Sequence, residues 1–76
     1  MKDKLKEFFY TELHYTKAGL ANENDPITRS NICWYAVQRG LGACQFAQMC
    51  GMKFQEVEQM FEEYKMELEL LKNEMC

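Results

Sequence analysis

Four cysteines and one histidine are the residues of this 76-residue chain whose types could bind a metal or act as nucleophiles. Zinc sites gather thiolates and imidazoles at short spacings such as Cys-x-x-Cys. Here Cys33, Cys44, Cys50 and Cys76 are separated by 11, 6 and 26 positions, and His14 lies far upstream. If residues 33–50 are helical, Cys33 and Cys44 share a face yet stand about 16 Å apart along it. That is too far for one disulfide or one ion. The expectation is of free thiols acting as small core residues, Cys76 being the most reactive, with no metal and no other cofactor. His14 has no Ser or Cys at a spacing that makes a nucleophile and base pair. Glu7 and Glu12 are five apart and Glu62 and Glu63 adjacent, so neither pair converges on one helix face. Gly40 and Gly42 are not followed by the Lys-Ser/Thr of a phosphate loop. The chain reads as a non-enzyme.

The elements that must carry these residues follow from composition and periodicity. Hydrophobic residues make up 47% of the chain and charged ones 28%, with a single proline, which describes one folded domain over residues 1–76. Nine Lys and Arg against twelve Asp and Glu give a net charge of −3, so no global positive field exists to hold a phosphate backbone. Glu7, Glu12 and His14 interrupt what would be the apolar part of a secretion signal, and no window is apolar enough to span a membrane. The expected location is the cytoplasm.

Leu5, Phe8, Phe9 and Leu13 recur at helical spacing, which predicts a first helix over residues 2–18 that ends at Gly19. Residues 21–28 are rich in turn formers, and Asp25-Pro26 supplies a cap and first-turn proline for a second helix over residues 27–50. Two readings of that segment stay open. It breaks at Gly40–Gly42, or it runs on as one helix whose small residues Ala36, Gly40, Cys44 and Ala47 let a neighbour approach. A third helix is predicted over residues 54–74, joined to the second by a tight corner. The fold class is all-α, a three-helix domain with a long C-terminal amphipathic helix.

In the third helix Phe54, Val57, Phe61, Tyr64, Leu68, Leu71 and Met75 follow one another at alternating spacings of three and four. That heptad is either the face that covers the other two helices or a seam between two chains, with Glu67 and Lys72 as its flanking charges. Glu56, Glu62, Glu63 and Glu69 fall at adjoining heptad positions and read as one acidic ridge, solvated or presented to a partner. Met66 and Leu70 lie off the main stripe, and Trp34 and Tyr35 are consecutive, so one thin core cannot hide them all. All four are candidates for a protein contact. A core of this size gives marginal stability, which a homodimer or a protein partner would raise.

Across residues 46–60, Ala47, Gly51 and Val57, with Cys50, Met52 and Met60 around them, the chain resembles a helix-turn-helix unit. The resemblance implies a dimeric DNA-binding regulator with Lys53, Gln55 and Gln59 at the groove. The same segment carries Glu56, Glu58, Glu62 and Glu63 outward, and residues 51–76 are net −4 against +1 for residues 1–50. Carboxylates facing phosphates disfavour nucleic acid. The favoured expectation is a small acidic interaction protein that presents its third helix to a basic, nucleic-acid-handling partner, by analogy with inhibitors such as anti-CRISPR proteins.

Overall fold

The computed structural model describes residues 1–74, so the expectations placed on Met75 and Cys76 lie outside the described residues. Three helices form it: α1 (Lys2–Leu20), α2 (Pro26–Met49) and α3 (Phe54–Glu74). The chain is an all-α three-helix domain. α2 starts where the turn residues place it. The Asp25 carboxylate accepts from the Thr28 backbone N–H at 3.2 Å and from the Thr28 hydroxyl at 2.7 Å, and Pro26 opens the first turn. Those two bonds hold the Asp25 carboxyl below its ordinary pKa.

Gly19 does not end α1. The helix carries through it to Leu20, whose side chain is fully enclosed, and stops at Ala21. Ending two residues earlier would leave Leu20 outside the helix that carries it into the core, so burial overrides the glycine. The glycines of α2 do not break it either. At Gly40 α3 packs directly against the helix: a methyl group there would lie 2.5 Å from Tyr64 Cε2 and 3.3 Å from Phe61 Cε1. Ala36, Gly40, Cys44 and Ala47 are all buried, as a close-approach stripe requires.

The corner between α2 and α3 is a Schellman turn. The Gly51 N–H donates to the Gln48 carbonyl at 3.0 Å and the Met52 N–H to the Ala47 carbonyl at 3.1 Å. Gly51 sits at φ +100°, a region that strains any residue with a Cβ. Beyond this turn α3 runs back along α2. Tyr64 bonds the Ala36 carbonyl and Arg29 bonds the Lys72 carbonyl, so contacts descend α2 as they climb α3. α1 and α2 are likewise antiparallel, with Glu12 on Arg39 and the Leu20 carbonyl on Arg29. α1 and α3 are therefore parallel.

The Cα trace measures 40 × 18 × 15 Å. A helix of 21 residues is about 32 Å long and cannot lie across 18 Å, so α3 does not make the near-perpendicular crossing of a DNA-binding helix-turn-helix. The local turn matches that unit and the helix directions do not.

Leu5, Phe9, Ala36, Cys44, Ala47, Val57, Tyr64 and Leu68 form the core. Cys33 and Cys44 are buried small residues as expected, whereas Cys50 is exposed at the corner because the turn lifts it off the stripe. Phe9 stacks on Tyr64 with ring centroids 4.5 Å apart. At the far end the buried Arg29 guanidinium donates to three carbonyls, those of Leu20 (3.1 Å), Glu23 (2.9 Å) and Lys72 (3.1 Å). The Thr16 hydroxyl is buried with no partner.

Three stability outcomes follow. Gly40→Ala gains ~1 kcal/mol of helix propensity but drives a methyl into an aromatic ring that cannot retreat, so a net loss of about 1–2 kcal/mol in urea unfolding is expected. Gly51→Ala should lose about 1–2 kcal/mol through its positive φ. Thr16→Val, which removes an unpaired hydroxyl, should raise the urea midpoint by the equivalent of about 1 kcal/mol.

Candidate functional site

A helix turns about 100° per residue, and the inward residues of α3 are Val57, Tyr64 and Leu68, each 2% exposed. These three are enclosed within one chain by α1 and α2, as the first of the two readings of the heptad has it, and so are not available to a seam between chains. Phe61 and Leu71 are half-buried at the edges of that face, and Phe54, at the start of the helix, is exposed. Phe61 is further covered by Lys65, whose Nζ stands 4.8 Å over the ring.

The four glutamates do not make one ridge. Glu56 and Glu63 line a groove of about 390 Å³ between α1 and α3, with Glu67 beside them and Lys2 and Lys6 on the opposite wall. Glu69 lies on the other flank, in a groove between α2 and α3 that Trp34, Tyr35, Lys65 and Lys72 also line. Glu62 is on that second flank and pairs with Lys65 at 2.9 Å. Heptad letters that adjoin are still 100° apart on the cylinder, which is enough to send neighbouring glutamates to opposite sides of α3.

Between the two carboxylate rows runs the outward strip of α3. Met66 and Leu70, four apart, are 67% and 54% exposed there. Gln55 and Gln59 continue the strip toward the start of the helix. Lys53 precedes the helix and is exposed in the turn, so the three residues assigned to a DNA groove are split between a turn and a helix face. The result is an apolar crest bordered on both sides by carboxylates, with Glu56, Glu63 and Glu67 along one edge and Glu58, Glu62 and Glu69 along the other.

Trp34 and Tyr35 are both more than half exposed and meet edge to face, centroids 5.1 Å apart. They belong to a larger feature that periodicity alone did not isolate. The only charged residues of α2 are Arg29, buried under the loop, and Arg39, bonded to Glu12 at 2.7 Å. Every other residue on the solvent side of α2 is uncharged, and Ile27, Trp34, Leu41 and Met49 among them are exposed apolar side chains. A missing signal explains the oversight: apolar residues lie all round α2, so no single face stands out.

Three groups inside the domain, the thiols of Cys33 and Cys44 and the phenol of Tyr64, are held neutral. Burial raises the thiols of Cys33 and Cys44. Burial also pushes the Tyr64 phenol up to about 12, with the nearby Glu12 carboxylate adding to it. Tyr64 forms the floor of the groove between α1 and α3, and its hydroxyl donates to the Ala36 carbonyl at 2.7 Å. Among the described residues no cluster of His, Cys, Asp or Glu has the geometry of a metal site, and no helix is long and apolar enough to cross a membrane.

The phenol's sign is definite. A folded-state pKa above the unfolded value of about 10 stabilises the fold fully below pH 10 and loses that contribution as pH rises toward 12. Absorbance at the tyrosinate band should show a late step near pH 12, coincident with loss of helicity and absent in Tyr64→Phe. That variant should itself cost about 1 kcal/mol through the missing hydrogen bond. In comparisons with known proteins, no protein-family model, no curated protein and no solved structure matches this chain.

Proposed function

We propose that this chain is a non-enzymatic interaction protein that presents the outer face of α3 to a basic protein surface. One observation carries the reading: the exposed pair Met66 and Leu70 lies between two rows of carboxylates, Glu56, Glu63 and Glu67 on one side and Glu58, Glu62 and Glu69 on the other. An apolar centre with a charged rim is the anatomy of a protein contact, in which the centre supplies affinity and the rim supplies steering and choice of partner. The complement is a shallow apolar slot edged by Lys and Arg. Surfaces that handle nucleic acid have such edges, and a chain of net charge −3 with its acid concentrated on α3 competes for them electrostatically.

The rim residues are exposed, so neutralising them leaves the fold intact to within about 0.5 kcal/mol each. The test is capture from the native cells by immobilised protein at about 0.1 M and about 0.5 M salt, where screening separates charged contacts from apolar ones. A basic protein should be captured at low salt and released at high salt. The quadruple variant Glu56→Gln, Glu62→Gln, Glu63→Gln, Glu69→Gln should retain roughly a tenth of it or less, and Met66→Ser with Leu70→Ser should weaken it in either salt. Capture undiminished by the quadruple variant, or recovery of duplex DNA in its place, overturns the reading.

A further inference from the structure

α2 carries a second, independent surface. Ile27, Asn31, Trp34, Gln38, Leu41, Gln45 and Gln48 follow one another at spacings of four, three, four, three, four and three, and all seven are exposed. That is an unbroken heptad along the solvent side of α2, alternating large apolar side chains with amides and ending in an amide. Tyr35, Gly42 and Met49 flank it and are exposed as well. None of its seven positions is charged: Arg29 is enclosed, and Arg39, half exposed, lies to one side of the stripe and pairs with Glu12.

We propose that this face of α2 docks a second copy of the same chain, antiparallel about a two-fold axis at Gln38, the midpoint of the face. Three features select a copy of itself as the occupant. The chain is acidic, so two copies repel wherever α3 faces α3, and the uncharged side of α2 is a surface on which they can meet without that cost. Asn and Gln side chains each hold donors and an acceptor, so an amide stripe can satisfy its own image, which a carboxylate or ammonium stripe cannot do. Polar amides within a helical seam also fix its register. Ile27 (72%), Trp34 (56%), Tyr35 (57%), Leu41 (40%) and Met49 (84%) are largely exposed, an upper bound of roughly 700 Å² before any amide is counted, against the ~800 Å² per partner of a standard interface.

The antiparallel direction follows from bulk. An axis at Gln38 brings Trp34 of one copy level with Gly42 of the other, and Gly42 has nothing within 4 Å of its missing side chain. The indole then crosses the seam where the partner helix is narrowest. A parallel pair would instead set Trp34 against Trp34 and leave the two glycines facing a gap. Antiparallel helices also align their dipoles favourably.

The experiment is sedimentation equilibrium of the full chain from about 1 µM to about 200 µM, a range in which mass action reveals a micromolar dimer. The mass should rise from 9.0 kDa toward twice that value. It should do so at high salt at least as readily as at low salt, opposite to the behaviour expected of the acidic α3 contact, so failure of one reading is distinguishable from failure of the other. Gly42→Leu fills the notch at an exposed helical position and raises helix propensity. Its monomer should be as stable to urea as the parent or more so, while its dimer dissociation constant rises about tenfold or more. Trp34→Ala should weaken the dimer comparably, and Phe54→Ser, on the face of α3, should not. A parent chain that stays at 9.0 kDa throughout, or a dimer that survives Gly42→Leu and fails with Phe54→Ser, overturns the proposal.

Discussion

The seat of Tyr64 on α2 is the constraint from which the rest of the molecule takes its arrangement. Its ring occupies the space that a side chain at Gly40 would fill, its hydroxyl is fixed to the Ala36 carbonyl, and Phe9 of α1 stacks against its other side. One side chain thus sets the distance and axial register of α2 and α3 and joins α1 to both. Because a helix is rigid in rotation once a few inward residues are fixed, the choice of Val57, Tyr64 and Leu68 as inward residues decides which residues of α3 face water. The exposed crest and the two carboxylate rows are consequences of that seat. So is the neutrality of the phenol, which keeps a buried hydrogen bond intact across the physiological range.

A second tie closes the other end. Up-down-up order brings the C-termini of α1 and α3 to the end where α2 begins, and helix C-termini expose carbonyls with no intrahelical donor. Arg29 reaches from the first turn of α2 into that cluster and donates to Leu20, Glu23 and Lys72. The guanidinium has no carboxylate partner among these bonds. Its charge is compensated by the negative ends of two parallel helices, a location in which a cation is favoured. The same group adds a donor to the Leu20 carbonyl, which also accepts from the Glu23 N–H at 3.2 Å, and supplies one to the carbonyls of Glu23 and Lys72. Close to the Tyr64 seat, the Glu12 and Arg39 pair is partly exposed and contributes less.

Much of this arrangement was legible in the sequence because it depends on local rules. The cap and proline at Asp25-Pro26, the small stripe through Gly40 and the heptad from Phe54 name elements whose signals lie within one or two turns. What was not legible depends on partners distant in sequence. Arg29 bonds carbonyls 9 and 43 positions away, and a carbonyl carries no side-chain signature. Gly19 looked like a terminus until the burial of Leu20 decided otherwise. The corner at Gly51 satisfies a pattern shared by helix hairpins and helix-turn-helix units alike, and only the run of α3 back along α2 separates them. The acidic residues were identified correctly as exposed, yet their division into two rows required knowing the inward direction of α3. The uncharged side of α2 was hidden for a different reason, since an apolar stripe is conspicuous only beside a polar one.

The order in which the helices leave the ribosome gives the α2 stripe a further consequence. α1 and α2 can close as a helical hairpin as soon as both are made, but the seat at Gly40 has no cover until α3 brings Phe61 and Tyr64 to it. Synthesis proceeds at about 5–20 residues per second, so α3 takes seconds to appear, whereas a helix forms in about a microsecond. For that interval the nascent chain displays a helix with an uncovered seat on its inner side and an uncharged stripe on its outer side. This is the stage of its life at which it is most exposed to chaperones, and to neighbouring chains on the same message.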